Sequence, residues 1–295
     1  MMTNQHRNAS AAVEIADVVF PTDARGLGAC RGLLPGDAYA RAAVAIADRP
    51  PAQAMLLTGF PVGGIGETDG PPGTMAVGRT LTTLGWAVVT VACDTTVPVV
   101  DALLTDVGPV IAAPCTERGA AEACEALRRE NAPDLVVAIE RPGTTADGRR
   151  LTMRGEDITG IAAALDPLMR APLSVAVGDG GNEIGMGAIA PCLQAKGLIP
   201  GVSVTRAQHL LLAEVSNWGA YGLVAMLDIV TGRDTLPGGD TEASWISRLV
   251  AAGAVDGMTR SNTAMVDGHS PAVNAEMLAR IRAIVERYRG ISSVA

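Results

Sequence analysis

The sequence of 295 residues contains 31 acidic and 23 basic residues, which gives a formal net charge of −8. Hydrophobic residues make up 48% of the chain, enough to build a core, so the composition excludes a disordered protein. Only 3% of the residues are aromatic and the net charge repels phosphate, so nucleic acid is not expected as a partner.

The compartment is predicted from what the sequence lacks. No run approaches the roughly 20 apolar residues that span a bilayer, so no membrane partner is expected. The segment Met1–His6 has no basic stretch followed by an apolar one, unlike a signal peptide. The cysteines form no C-x-x-C pair and are odd in number, which disfavours a disulfide framework or a structural zinc site; they are Cys30, Cys93, Cys115, Cys124 and Cys192. We therefore expect a soluble cytoplasmic protein whose cysteines are small buried hydrophobic residues.

Residues 1–12 are expected to form a frayed tail, after which short apolar runs alternate with helical patterns. Six runs are typical of strands buried on both faces, as in a parallel sheet: 54–58, 87–92, 110–113, 135–139, 174–177 and 210–213. Helical patterns cover 74–84, 118–129, 217–230 and 270–290, the last with Ser270 as its cap, Pro271 as its first residue and Gly290 at its end. The alternation predicts a layered α/β/α fold with a mostly parallel sheet, in a single domain over residues 1–295.

Polar residues cluster just after the predicted strands, where open parallel sheets bind their ligands. The loop 59–73 holds six glycines and three prolines around Glu67 and Asp69. Its glycines allow close approach of a ligand to the backbone, and the N-terminus of the next helix suits an anion. A surface turn with two solvated acids is the alternative interpretation.

The loop 178–187 is denser still, with five glycines among ten residues. Asp179, Asn182 and Glu183 offer the hard oxygen ligands that Mg²⁺ or Mn²⁺ prefers. The same residues would also suit a metal-free site that polarises an amine, or a tight turn with Asp179 as a helix cap. The loop does not have the G-x-G-x-x-G spacing of a dinucleotide site, and Lys196 lies too far downstream for a phosphate-binding loop.

Two arginines are candidate clamps for a substrate carboxylate, because a guanidinium can donate two parallel N–H bonds. Arg141 follows the fourth predicted strand beside Glu140, and a structural ion pair at the sheet edge is its alternative role. Arg154 lies in a polar stretch, and an exposed surface arginine is its alternative. Asn217 begins a helix and is interpreted equally as a cap or as a substrate contact.

Several motifs together resemble the D-glutamate cyclase family, specifically its C-terminal domain, over about residues 15–290. These are GETDGPPG at 66–73, IERPG at 139–143, MRGEDI at 153–158, GDGGNEIGMG at 178–187, SNWGAY at 216–221 and VDG at 255–257 and 266–268. The resemblance implies a lyase that converts D-glutamate to 5-oxo-D-proline by attack of the α-amine on the γ-carboxyl group, with loss of water. The partner would be a small amino dicarboxylate.

This reaction assigns roles to the clustered side chains. An arginine would hold the α-carboxylate, a carboxylate would take protons from the amine, and a divalent cation or protonated acid would neutralise charge on the γ-carboxyl. The expected catalytic residues are Glu67, Asp69, Asp179, Asn182 and Glu183; the expected substrate-binding residues are Asp94, Glu140, Arg141, Arg154, Ser216 and Asn217. If a Mg²⁺ or Mn²⁺ ion is bound, Asp179 and Glu183 are its expected ligands.

Two other functions are compatible with the sequence. A metal-dependent phosphotransferase or nucleotide-binding enzyme would use the glycine-rich loop for phosphate, although no lysine lies near it. A non-catalytic amino-acid sensor would bind its ligand in the same crevice without chemistry. The oligomeric state is left open, a homo-oligomer included.

Overall fold

The computed structural model describes residues 3–289, and its centre is a parallel sheet. The strands are β1 (Gln53–Leu57), β2 (Pro61–Val62), β3 (Ile65–Gly66), β4 (Ala87–Cys93), β5 (Val110–Ala113), β6 (Leu135–Ile139), β7 (Leu173–Gly178) and β8 (His209–Leu212). Strands β2 and β3 pair as a small antiparallel hairpin, and the other six form one sheet in the order β5-β4-β1-β6-β7-β8. All six predicted strands are confirmed, and every pair in this sheet is parallel.

Helices occupy most of the connections between these strands. They are α1 (Asn4–Val18), α2 (Gly28–Arg31), α3 (Ala38–Ala47), α4 (Pro71–Thr83), α5 (Val97–Leu104), α6 (Glu117–Asn131), α7 (Ala190–Lys196), α8 (Ser216–Thr231), α9 (Gly239–Ala251) and α10 (Pro271–Arg289). The four predicted helices are confirmed as α4, α6, α8 and α10; Gly290, predicted to end the last one, lies outside the described residues. Within residues 3–289, no helix combines the length and apolar character needed to cross a membrane.

The sheet is covered on both faces, which confirms the layered α/β/α prediction. Alternate residues of β1 show this division because successive side chains on a strand point to opposite faces. Ala54 and Leu56 pack in a core with α1, α3, α4, α5, α8, α9 and α10. Met55 and Leu57 pack in a second core with α2, α6 and α7. The continuous apolar character of the strands follows from this two-sided burial.

The strand order places a crevice at one edge of the sheet. From β1 the chain runs outward to β4 and β5, then returns to the opposite side of β1 with β6 and continues to β7 and β8. Connections that leave neighbouring strands in opposite directions create a crevice beyond their carboxyl ends, where doubly wound folds bind ligands. That point lies beyond β1 and β6, at the loops that begin with Gly59 and Glu140.

The N-terminal segment differs from the prediction of a frayed tail over residues 1–12. Helix α1 begins at Asn4, with the Thr3 side chain accepting a hydrogen bond from the His6 N–H at its start. Its small residues Ala11 and Ala12 are fully buried in the first core. The first turn carries only polar side chains and the buried face is mostly alanine, so the apolar periodicity is too weak to show in the sequence.

The cysteines also differ from the prediction in one respect. Cys30 on α2 and Cys192 on α7 form a disulfide, with their Cα atoms 5.8 Å apart. The prediction that all cysteines are free is therefore wrong for this pair, because tertiary packing brings together positions that are 162 residues apart in sequence. Cys93 and Cys124 are free and buried, as expected, and Cys115 is free and half-buried.

Candidate active site

A cleft of about 220 Å³ opens at the predicted edge of the sheet. Its walls come from the loops after β1, β6 and β7, from the α1–α2 connection, and from two further loops around residues 152–156 and 256–268. The lining residues are Arg25, Phe60, Val62, Glu67, Glu140, Thr152, Met153, Arg154, Glu156, Asp179, Asn182, Gly257, Met258, Arg260 and Asp267.

Three buried acids converge at the base of this cleft, and we call Asp69, Glu140 and Asp179 the cleft floor. Glu140 and Asp179 line the cleft, and Asp69 belongs to the same group without lining it. Their carboxylate oxygens lie within 4.8 Å of one another. The N-terminus of α8 holds them: the Ser216 N–H donates to Asp69 Oδ2 (2.9 Å) and Asp179 Oδ2 (3.1 Å), and its Oγ–H donates to Glu140 Oε2 (2.6 Å). Free N–H groups at a helix start favour anions, so the helix stabilises this arrangement.

Asn217 is committed to the loop that follows β1. Its Oδ1 accepts hydrogen bonds from the N–H groups of Gly70 (3.0 Å) and Gly73 (2.8 Å), and its Nδ2 donates to the Thr68 carbonyl (3.2 Å). Its own N–H donates to Asp69 Oδ1 at 2.8 Å. Asn217 thus orients Asp69 through its backbone N–H, and both lone pairs of its side-chain oxygen are occupied by the loop.

Within the glycine-rich loop, Glu183 and Asp179 face different ways. The Glu183 carboxylate accepts hydrogen bonds from the N–H groups of Asp179 (3.3 Å), Gly180 (2.6 Å) and Gly181 (2.7 Å), so it shapes its own loop. Asp179 is the member of this predicted pair that joins the floor. Asn182 lines the cleft; its Nδ2 donates to the Leu151 carbonyl (3.0 Å), and its Oδ1 is buried without a partner.

Arg141 and Asp94, both predicted to bind substrate, lie outside the cleft lining. Arg141 is fully buried and donates to the carbonyls of Gly59 (2.8 Å) and Ala163 (2.5 Å) and to Cys93 Sγ (3.2 Å). These hydrogen bonds tie the loop after β1 to the segment around Ala163, so Arg141 has a structural role there. Asp94 is exposed beyond β4.

The mouth of the cleft, defined by Arg154, Glu156, Met258 and Arg260, is exposed. Arg260 Nη2 donates to both carboxylate oxygens of Glu156 (2.6 and 2.5 Å), and Arg154 Nη2 donates to the Met258 carbonyl (2.9 Å). The structure thus brings Arg154 to the cleft, as predicted. No carboxylate within residues 3–289 forms an ion pair with it.

Two charged residues that form ion pairs inside the cleft, Arg25 and Asp267, are not among the predicted site residues. Arg25 forms an ion pair with Asp179 Oδ1 through Nη1, and another with Asp267 Oδ2 through Nη2 at 2.5 Å. Arg25 precedes the first strand and Asp267 lies before α10, so neither follows a strand. The second VDG motif, at 266–268, was the available signal for Asp267; Arg25 had none.

The buried acids at the cleft have pKa values far from those of free carboxyl groups. Burial raises the pKa of Glu67, Glu140 and Asp179 well above the usual carboxyl range, and neighbouring carboxylates add to each shift. Burial, with Asp267 nearby, also raises the pKa of Asp69 to about 7. Such a cluster favours a ligand that brings positive charge, either an ammonium group or a divalent cation.

The donor set of the floor fits a hard divalent cation. Asp69, Glu140 and Asp179 supply carboxylate oxygens, the ligands that Mg²⁺ and Mn²⁺ prefer. Asn182 adds a buried amide oxygen without a partner beside them. The set differs from the predicted pair because Glu183 turns its carboxylate toward backbone N–H groups.

Fold and site define a doubly wound α/β protein with an acid-lined cleft at the point where its strand order reverses. A sequence model described as "D-glutamate cyclase-like, C-terminal" matches residues 21–282, and the chain belongs to that family. It is similar to human "D-glutamate cyclase, mitochondrial", with 30% identity over 204 residues. That alignment covers 60% of this chain but 32% of the human protein, so the chain matches about a third of its relative's length. The cytoplasmic location expected for this chain stays a prediction.

Proposed function

We propose that the protein is a lyase that converts D-glutamate to 5-oxo-D-proline and water. The observation that carries the proposal is the pairing of a buried acidic floor with Arg154 at the mouth, which forms no ion pair with a carboxylate of residues 3–289. An amino dicarboxylate matches this pattern, since its ammonium suits the acids and a carboxylate suits Arg154. In the reaction, a bond forms between the α-nitrogen and the carbon of the γ-carboxyl group, and the bond from that carbon to one of its oxygens breaks.

Amine activation is assigned to the floor. At neutral pH the α-amine is an ammonium, and it must lose protons to attack and to end as a lactam nitrogen. Asp179 is assigned as the first acceptor because, among the floor acids, it forms the ion pair with Arg25. That contact opposes the effect of burial, which raises the pKa of Asp179. Asp69 and Glu140 lie beside it and take part in holding the ammonium.

Departure of the γ-oxygen requires an acid, and Glu67 is positioned for that role. Glu67 lines the cleft and is 5% exposed. Burial and the neighbouring Glu140 raise its pKa, which favours the protonated form that a general acid needs. The leaving oxygen takes two protons to become water, one from Glu67 and one of the two that the floor removes from the ammonium. The other proton from the ammonium returns Glu67 to its protonated form.

Substrate orientation is assigned to the mouth. The Arg154 guanidinium forms no ion pair within residues 3–289, and it can bind the α-carboxylate with two parallel N–H bonds. If the enzyme uses a metal, Asp69, Glu140 and Asp179 would hold Mg²⁺ or Mn²⁺, which would neutralise negative charge on the γ-carboxyl group. The floor repels phosphate, which counts against the phosphotransferase alternative.

The proposal is tested by incubating the purified protein with D- or L-glutamate and separating the products by chiral chromatography. Each reaction is run after chelation, and again with Mn²⁺ or Mg²⁺ restored. We expect 5-oxo-D-proline from the D form alone. Absence of product under every condition would contradict the proposal. Thermal stabilisation by ATP with Mg²⁺, without any by D-glutamate, would then favour a phosphotransferase, whereas tight D-glutamate binding without turnover would favour a sensor.

A further inference from the structure

Arg25 is the one residue of the α1–α2 connection that lines the cleft. Residues 21–24 of this connection are exposed, whereas the Arg25 side chain is only 14% exposed. Its guanidinium pairs with Asp179, after β7, and with Asp267, in the loop before α10. A single side chain thus joins two walls of the cleft that are built from distant parts of the chain.

The segment that carries Arg25 is anchored on both sides. Before it, the Thr22 N–H donates to Glu214 Oε2 at 2.9 Å. After it, the Gly28 N–H donates to Asp23 Oδ1 at 2.7 Å, and the Cys30–Cys192 disulfide ties α2 to α7. These contacts fix the entry of Arg25 into the cleft, so its two ion pairs are a built feature of the fold.

The charge already around Arg25 decides between two roles for it. Asp179 and Asp267 both pair with the guanidinium, and Glu140 adds a third negative charge nearby. A guanidinium neutralised in this way has little attraction left for a ligand carboxylate. Arg154, in contrast, forms no ion pair with a carboxylate among residues 3–289. Without Arg25, the acids would repel one another across the cleft.

We infer that Arg25 is a positioning residue, which holds Asp179 and Asp267 at the spacing that the reacting substrate requires. It acts through these two acids and makes no contact with the substrate's carboxylates. The kinetic test of this inference rests on the proposed cyclase activity. A second test, by proteolysis, depends only on the ion pairs of Arg25 and needs no turnover.

The kinetic test compares Arg25→Ala, Arg25→Gln and Arg25→Lys with the wild type. We expect kcat to fall about 100-fold in the Ala and Gln variants, the scale of a displacement of about 1 Å at a reacting centre. KM for D-glutamate should not rise, since the ammonium still meets the acids. The fall in kcat should be smaller in Arg25→Lys, because lysine keeps a positive charge but reaches only one carboxylate at a time.

Chemical rescue separates positioning from a general loss of structure. Guanidinium chloride at non-denaturing concentration should raise kcat of Arg25→Ala at least tenfold, because the ion can occupy the vacated place between the two acids. The same ion should not rescue Arg154→Gln, whose loss is a loss of substrate binding. A raised KM with unchanged kcat would overturn the inference and make Arg25 a substrate-binding residue. Failure of rescue in a variant with a normal melting profile would also overturn it.

Limited digestion with trypsin tests the bridge in the protein itself. While Asp179 and Asp267 hold the guanidinium inside the cleft, the Arg25–Gly26 bond should resist cleavage. Asp267→Asn releases one arm, and we expect cleavage at this bond to be at least tenfold faster; Asp94→Asn, outside the cleft, is the control. Equal cleavage rates in wild type and Asp267→Asn would overturn the inference even if the protein proves to be a cyclase. Faster cleavage in Asp267→Asn would support the bridge even if the protein proves not to be a cyclase.

Discussion

The floor and the mouth of the cleft are built in opposite ways. Asp69, Glu140 and Asp179 are buried, and each accepts a hydrogen bond from Ser216 at the start of α8. At the mouth, Arg154 and its neighbours are exposed and contact one another between two loops. The geometry of the floor is therefore set before any ligand binds. At the mouth, a ligand group can replace the existing hydrogen-bond partners of the exposed side chains.

This difference indicates a division of labour. Groups that stabilise a changing charge act best when they are fixed and shielded from water, because no reorganisation is needed during the reaction. Exposed charges contribute to capture and selection of the ligand. Changes at the floor should therefore lower kcat, and changes at the mouth should raise KM.

The largest effect is expected for Asp179→Asn. The variant keeps the size of the side chain and an oxygen for the Ser216 N–H, but it loses the proton acceptor and the partner of Arg25. We expect kcat to fall about 10³-fold, within the range for loss of a general base, while the melting profile stays cooperative. Asp94→Asn, exposed beyond β4, should match the wild type. Full activity in Asp179→Asn would remove Asp179 from the mechanism.

Gly257→Ala tests the assignment of Glu67 without changing Glu67 itself. A Cβ at position 257 would lie 1.9 Å from Glu67 Oε2, so the carboxyl group must move. We expect kcat to fall about 10- to 100-fold, as for other small misplacements of a reacting group. Gly160→Ala is the matched control, since its Cβ would meet nothing within 4 Å. If steady-state kinetics show no change in Gly257→Ala, Glu67 does not donate the proton.

At the mouth, Arg154→Gln should weaken binding alone. In the proposed mechanism, Arg154 holds the α-carboxylate equally well in the bound substrate and in the transition state. Its loss should therefore raise KM and leave kcat unchanged; a loss of about 1.4 kcal/mol of binding free energy raises KM about tenfold. Arg118→Gln, on the exposed face of α6, is the control. A loss of kcat in Arg154→Gln, measured with saturating D-glutamate, would contradict the division between floor and mouth.

Glu242 allows the effect of a buried acid on stability to be measured without an effect on activity. It is as buried as the floor acids, but it is not part of the floor and does not line the cleft. Burial raises its pKa to about 8 from the usual 4.5, and the Tyr221 hydroxyl lies 3.4 Å from Oε1. Because this pKa is raised in the folded state, Glu242 contributes fully to stability below pH 4.5. That contribution to the free energy of unfolding is lost as the pH rises through about 8.

In Glu242→Gln, the free energy of unfolding should therefore fall less between pH 5 and pH 9. Urea titrations should show a gain of about 1–3 kcal/mol over the wild type at pH 9, with turnover unchanged. Glu122→Gln, exposed on α6, is the control. A pH dependence identical to that of the wild type would show that Glu242 does not titrate over this range.

Most of the scaffold could be predicted from the sequence because burial leaves a direct pattern in it. Runs such as Leu135–Ile139, apolar at every position, occur where a strand is covered on both faces. The rule that ligands bind beyond strand ends also located Glu67, Glu140 and Asp179. Helix α1 was missed because its buried residues are mainly alanines, which carry little periodic signal.

The finer arrangement of the site could not be predicted in this way. Asp179 and Glu183 occupy the same loop and have the same chemistry, and only the path of the backbone decides which one reaches the floor. Arg141 and Arg154 were equivalent candidates until packing placed one beneath the loop and the other at the mouth. Arg25 depends on contacts across most of the chain, which no local pattern records.

The position of Arg25 also has a consequence for how the protein is made. Ribosomes add about 5–20 residues per second, so Arg25 would precede Asp267 by roughly 10–50 s. Cys30 likewise waits for Cys192 before the disulfide can form. During synthesis, α1 and its loop must therefore remain available until Asp267 has emerged. The ion pairs that join the two walls of the acidic cleft are completed only at that stage.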